Sequence, residues 1–180
     1  SRAIGDRPNK HRHATIHCQL TVSDQLAPIL YLAVCATAHP TRILYAIHVL
    51  RTPVCDALAE TSYNFGTMGR MGIHVSYGTD CPVEDLNPFE NLYCAVTRRA
   101  LNGGEVYLPG ECVDIYTAID NYTYESAYTC FDESQRGRLQ PGCLADFVVL
   151  DADIFTIPAE QIKAIRPVAT YLGGRAVYQR

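Results

Sequence analysis

No two of the eight cysteines are spaced as C-x-x-C, so neither a zinc ribbon nor a thioredoxin-type redox pair is written into this chain. A positive net charge is lacking too. The 15 Lys and Arg against 19 Asp and Glu leave −4 at pH 7, which argues against a nucleic-acid partner, since such a partner demands a basic face. The longest apolar run, residues 26–38, contains Pro28 and falls short of the roughly 20 residues of a membrane span. No internal repeat, low-complexity tract or signal peptide is visible, and the chain starts at Ser1 without a methionine. The expectation is a piece of a longer protein, or a processed one.

What remains is globular. Hydrophobic residues make up 48% of the 180, an ordinary share for a packed domain, and the length allows one domain or a large piece with a small one. The cysteines fall at 18, 35, 55, 81, 94, 112, 130 and 143. Several, such as Cys94 and Cys112, lie within apolar patterns. They read as reduced core thiols of a cytoplasmic protein, with a secreted disulfide framework as the weaker alternative.

Ile73, Val75 and Tyr77 alternate with His74, Ser76 and Gly78, the period of a strand. That strand runs into Asp80, and Pro82 breaks the chain two residues later. A carboxylate at the end of an apolar strand is costly unless something binds it. In α/β barrels the carboxyl ends of the strands carry the reacting groups. Asp80 is therefore the first candidate for chemistry.

The neighbouring segments alternate between strand and helix. Residues 14–18 read as a buried strand, and Thr21 to Asp24 offer caps for a weak helix. A second apolar run follows and is closed by His39-Pro40; residues 41–54 take no clear pattern. Residues 54–71 read as a helix through Leu58, Ser62, Phe65 and Met68. Asn87-Pro88-Phe89-Glu90 is a strong helix start, with Phe89, Leu92, Tyr93, Val96 and Ala100 on one face and Asn102-Gly103-Gly104 as its end. Further helices are expected over 111–119 and 123–131. After residue 137 the pattern turns to β: a strand over 146–151, a short helix over 158–165, and a hairpin closed by Gly173-Gly174.

Tyr77-Gly78-Thr79-Asp80-Cys81-Pro82-Val83-Glu84, Asn87-Pro88 and Ala95-Val96-Thr97-Arg98 together resemble the family-3 amidohydrolases, the YtcJ-like branch of the metal-dependent amidohydrolase superfamily. Gly137-Arg138-Leu139-Gln140-Pro141-Gly142, then Ala145 to Asp151, is similar to that family's later signature, and Gly173-Gly174-Arg175-Ala176-Val177-Tyr178 to its terminal hairpin. Ile16-His17-Cys18-Gln19 resembles its I-E-H-A-Q segment. The motifs occur in the family's order over essentially the whole chain.

The resemblance implies the C-terminal half of a (β/α)₈ TIM-type barrel plus the C-terminal strands of a small β-sandwich. Residues 1–134 would supply about strands five to eight, and residues 135–180 the sandwich segment. It implies hydrolysis of a C–N amide-like bond in a small molecule, such as an N-substituted formamide, by a metal-activated water. The metal would be a divalent cation, commonly zinc. Asp80, ending strand eight, takes the role of ligand and general base, and His17, ending strand five, that of metal ligand. In the strand-six segment Arg42 stands where the family has a histidine and Ala46 where it has an aspartate, so His39 and His48 are the substitutes to consider.

The family's strand-one H-x-H pair has no counterpart here. Little activity is therefore expected of the chain alone, and a homo-oligomer or a missing N-terminal half is expected to complete it. The alternative is a non-catalytic binding or regulatory module derived from an amidohydrolase. Other residues receive plainer readings: His74 packed or at the surface, His11 and His13 an H-x-H that precedes the His17 strand rather than starting a barrel, Glu84 and Asp85 solvated, and Cys81 inert for want of a neighbouring base.

Overall fold

The computed structural model describes residues 10–43 and 59–180. Strands β1 (Ala14–Ile16), β2 (Cys35–Ala38) and β3 (Val75–Tyr77) form a parallel sheet in the order β1-β2-β3. Thr15 pairs with Ala36, and Thr37 with Ser76. Helix α1 (Ser23–Tyr31) crosses from β1 to β2. Its start is closed by Gln25, whose side-chain oxygen accepts from the Val22 amide at 3.1 Å. Every residue of β3 is buried, as expected of a strand covered on both faces. That is why Ser76, on the polar side of the alternation, lies inside as well.

Four parallel strands, five to eight, were the expectation; the described residues contain three. Because β2 hydrogen-bonds directly to β3, no strand stands between them. In a barrel each parallel strand pairs with its successor, so strand-five and strand-eight positions would be separated by two strands. His17 and Asp80 are separated by one, β2, and the strand-five placement of His17 therefore does not hold beside a strand-eight placement of Asp80.

The helices keep their order but shift their ends. Of the helix expected over 54–71, residues 54–58 lie outside the described residues, and the described part is helical at Ala59 and again in α2 (Phe65–Arg70), with a break between them. Tyr63 has φ 52°, which turns the chain before α2 can extend backwards. Helix α3 (Pro88–Thr97) starts as expected, with Asn87 Oδ1 accepting from the Phe89 amide at 3.1 Å. It stops at Arg98, in the left-handed region at φ 53°, rather than at the glycines beyond. Helices α4 (Ile115–Tyr122) and α5 (Tyr124–Thr129) follow, α4 capped by Asp114 through the Thr117 amide at 2.8 Å. The expected start near residue 111 is instead a 3-10 turn, Pro109–Glu111.

Strands β4 (Phe147–Leu150), β5 (Pro167–Leu172) and β6 (Arg175–Gln179) make an antiparallel sheet. Gly173 and Gly174 turn β5 into β6 with φ of 57° and 76°, the doubly positive turn that matches strand twist. Phe147 stacks on Tyr171 across β4 and β5 at 4.5 Å, a cross-strand pair of the kind that sets register. The segment between β4 and β5 packs on α3. Its Ile154, Ile162 and Ile165 belong to the same core as Val75, Phe89, Leu92 and Tyr93. Lys163 donates to the Leu101 carbonyl, its ammonium 4.6 Å from the Tyr93 ring. The C-terminal strands are thereby tied to the α/β part by a continuous apolar core.

Candidate metal centre

His17, His39 and Asp80 come from three separate parts of the sequence and meet for a topological reason. Parallel strands end on the same edge of a sheet, and each of these residues lies just past such an end: His17 after β1, His39 after β2, Asp80 three residues after β3. The ladder continues beyond the strands, with the His17 amide donating to Thr37 O at 2.8 Å and the Gly78 amide to Ala38 O at 3.1 Å. One ligand atom from each of the three residues lies within 4.8 Å of the others. His17 and Asp80 both sit at positive φ, 73° and 58°. Left-handed backbone at a residue other than glycine costs on the order of 1 kcal/mol or more and collects at functional sites.

His39 is held from behind. Its Nδ1 lies 2.9 Å from the Gly78 carbonyl. A carbonyl can only accept, so Nδ1 carries the proton and the neutral ring keeps a lone pair on Nε2. That atom is buried and has no hydrogen-bond partner. Burial pushes the His39 pKa down, which favours the neutral ring. Asn91, fully buried on α3, donates to the same Gly78 carbonyl at 2.7 Å and accepts from the Thr41 amide at 2.8 Å. One amide thus ties the ends of β2 and β3 together.

His17 presents a second orphan. Its Nδ1 is buried without a hydrogen-bond partner, 3.8 Å from Asp80 Oδ2, and its ring centre lies 5.0 Å from that of His39. Two buried imidazole nitrogens without hydrogen-bond partners, converging on a carboxylate, fit a divalent cation, because a desolvated polar nitrogen is costly unless something binds it. Arg42 complicates that picture. It ends the 3-10 turn Pro40–Arg42, and its Nη2 donates to Asp80 Oδ2 at 2.5 Å.

Of the remaining candidates, His48 lies outside the described residues. His74 stacks on Tyr128 at 3.9 Å and contacts Glu125 at 2.7 Å, just before β3 and so at the opposite end of that strand from Asp80. His11 and His13 have ring centres 5.8 Å apart near the start of the described chain. Asp85 and Cys81 are exposed and Glu84 half-buried. The seven described cysteines are free thiols. Cys18, Cys35 and Cys94 are buried as expected, and burial pushes the Cys94 thiol up to about 12; Cys81 and Cys130 are instead exposed. The sequence reading left His39 level with His48, and gave no sign of the Arg42–Asp80 pair beyond a cation in a ligand's place.

Parallel strands with imidazoles and a carboxylate at their common end define an α/β protein with a candidate metal centre. The model of the amidohydrolase family matches residues 2–178, and the chain belongs to that family. Its 123 residues aligned with YtcJ of Bacillus subtilis (strain 168), an amidohydrolase by name, are 32% identical and cover 67% of this chain and 23% of that one. The N-substituted formamide deformylase of Arthrobacter pascens is 28% identical over 109 residues, 61% of this chain and 20% of its own. A metal-dependent hydrolase of Pyrococcus horikoshii OT3 superposes with a TM-score of 0.73 at 25% identity, over 82% of this chain and 30% of that structure. The chain thus spans less than a third of the length of each of these relatives.

Proposed function

We propose that the chain is the C-terminal part of a metal-dependent hydrolase that cleaves a C–N bond, of amide or formamide type, in a small molecule. The observation that carries this reading is the convergence of His17 Nδ1 and His39 Nε2, both buried and unpartnered, on the Asp80 carboxylate. In this reading β1, β2 and β3 are consecutive strands ending with the eighth of a (β/α)₈ barrel, and β4–β6 belong to a small β-sandwich. A further part of the protein, or a second copy of the chain, supplies the remaining strands. A barrel takes roughly 250 residues, so the chain alone lacks most walls of a substrate pocket, and little turnover is expected of it.

His17, His39 and Asp80 would hold the metal. Two nitrogens and one oxygen suit zinc and leave room for a fourth ligand. A divalent cation so bound supplies a Lewis acid that makes water nucleophilic at neutral pH. The residues supply the rest. The Gly78 carbonyl fixes the tautomer and aim of His39, and Asn91 fixes Gly78. A free oxygen of Asp80 takes the proton from the attacking water and passes it to the leaving nitrogen.

Elemental analysis after dialysis against zinc tests the reading. About one zinc per chain is expected, with loss in Asp80→Asn and in His39→Ala; absence of metal from the wild-type chain and from Arg42→Gln alike would refute it. A second reading, a binding or regulatory module without catalysis, is favoured by the guanidinium of Arg42 resting on Asp80. It predicts no metal in any of these proteins.

A further inference from the structure

Two groups compete for one oxygen of Asp80. Arg42 Nη2 donates to Oδ2 at 2.5 Å, and His17 Nδ1 faces the same atom at 3.8 Å. An arginine side chain stays charged at every working pH. A cation held by His17, His39 and Asp80 would therefore sit beside a permanent positive charge, and would need lone pairs that this charge already engages. Like charges a few ångströms apart in a half-buried site repel strongly, so the two occupancies exclude each other.

The side chain is built to let go. The bond to Asp80 is its one side-chain hydrogen bond among the described residues. Its Nε is buried with no partner, so the present pose is incompletely satisfied. The side chain is 21% exposed, and it springs from a short turn just past β2, at the rim of the site. Leaving Asp80 costs it one charge-assisted bond and opens a path to water.

We propose that Arg42 is a tethered cation that competes with the metal for Asp80, so that the centre is loaded only when the guanidinium swings off the carboxylate. Metal affinity is then set by a residue that is no ligand. This inference rests on the metal-centre reading above and goes beyond it: the site alternates between an internal ion pair and a bound ion.

Zinc titration against a chromophoric chelator, at fixed pH and ionic strength, tests it on wild type, Arg42→Gln, Arg42→Lys and Asp80→Asn, with circular dichroism to show that each folds. Removing the charge should tighten zinc binding roughly 10- to 100-fold, the worth of one charge-assisted hydrogen bond. Arg42→Lys, which keeps the charge, should stay with wild type, and Asp80→Asn should bind weakest. Arg42→Met repeats the neutralisation should the glutamine variant fold poorly. Equal or weaker zinc binding by the neutral variants, with wild type still binding, would overturn the competition and leave the metal centre standing. Absence of zinc binding in wild type and in the neutral variants alike would overturn both.

Discussion

Asn91 joins two strand ends with a single amide, donating to Gly78 O and accepting from Thr41 N. The Thr41 amide is buried with it, while Gly78 O keeps its bond from His39 Nδ1, so replacing Asn91 by leucine strands one buried donor. Asn91→Leu should lower stability by about 1–3 kcal/mol, measured by urea unfolding, and should weaken zinc binding as the carbonyl that aims His39 loses its second anchor. Nothing in the sequence singles out this asparagine, which sits on a helix face among apolar neighbours; its role depends on partners 13 and 50 residues away. Glu133 gives a test in pH. Its carboxyl pairs with Arg12 at 2.5 and 2.7 Å, and that hydrogen bond holds its pKa at about 2 against an ordinary 4.5. A depressed carboxyl stabilises the fold above its ordinary pKa and loses that contribution as pH falls toward the depressed one. Between pH 4.5 and 2 the wild type should therefore lose more thermal stability than Glu133→Gln. The difference should be small, as for any solvent-exposed ion pair.

At the scale of elements, α3 shows why one end of a helix was legible and the other was not. Asn87, Pro88 and Glu90 are local signals, and the helix starts where they stand. Its end is decided by Arg98, whose guanidinium is buried and donates to Tyr107 O at 2.9 Å and Tyr63 O at 2.8 Å. Those long-range bonds hold the residue at positive φ five residues before the glycines. Arg98→Ala should cost about 3 kcal/mol, from a cavity and two unsatisfied carbonyls, and Arg98→Lys should not restore it, because an ammonium lacks the fork. Both are read by chemical denaturation. Gly137 shows a related constraint at the start of the β segment. Its φ is +85°, and a Cβ there would stand 2.7 Å from Tyr124 Cα, so the chain passes α5 where only a glycine fits.

At the scale of the molecule, the described chain leaves apolar surface uncovered. Ile16 at β1 is 62% exposed. Val148, Val149, Leu172, Val177 and Tyr178 of the antiparallel sheet are all exposed as well. An apolar cleft of about 840 Å³ separates that sheet from α4 and α5. No strand among the described residues pairs with the outer edge of β1 or of β3, and an open edge is a template for another strand. Sedimentation velocity of the purified chain should therefore show a dimer or larger species that dissociates when a polypeptide carrying the N-terminal half is added. A monodisperse monomer with no affinity for that half would count against a shared barrel. None of the described helices is long and apolar enough to cross a membrane.

The sequence by itself determined the features that depend on neighbours in the chain: the strand before Asp80, the cap at Asn87, the glycine turn of the last hairpin, and, through its ordered motifs, the family. Those signals are steric and hydrogen-bonding preferences acting within a few residues, so spacing is enough to read them. The tertiary structure decided the strand count and the make-up of the site. Direct pairing of β2 with β3 brought His39 to Asp80 and set Arg42 on its carboxylate. Parallel register is fixed by contacts between segments 20 to 40 residues apart, and no pattern along the chain records which strand ends will meet.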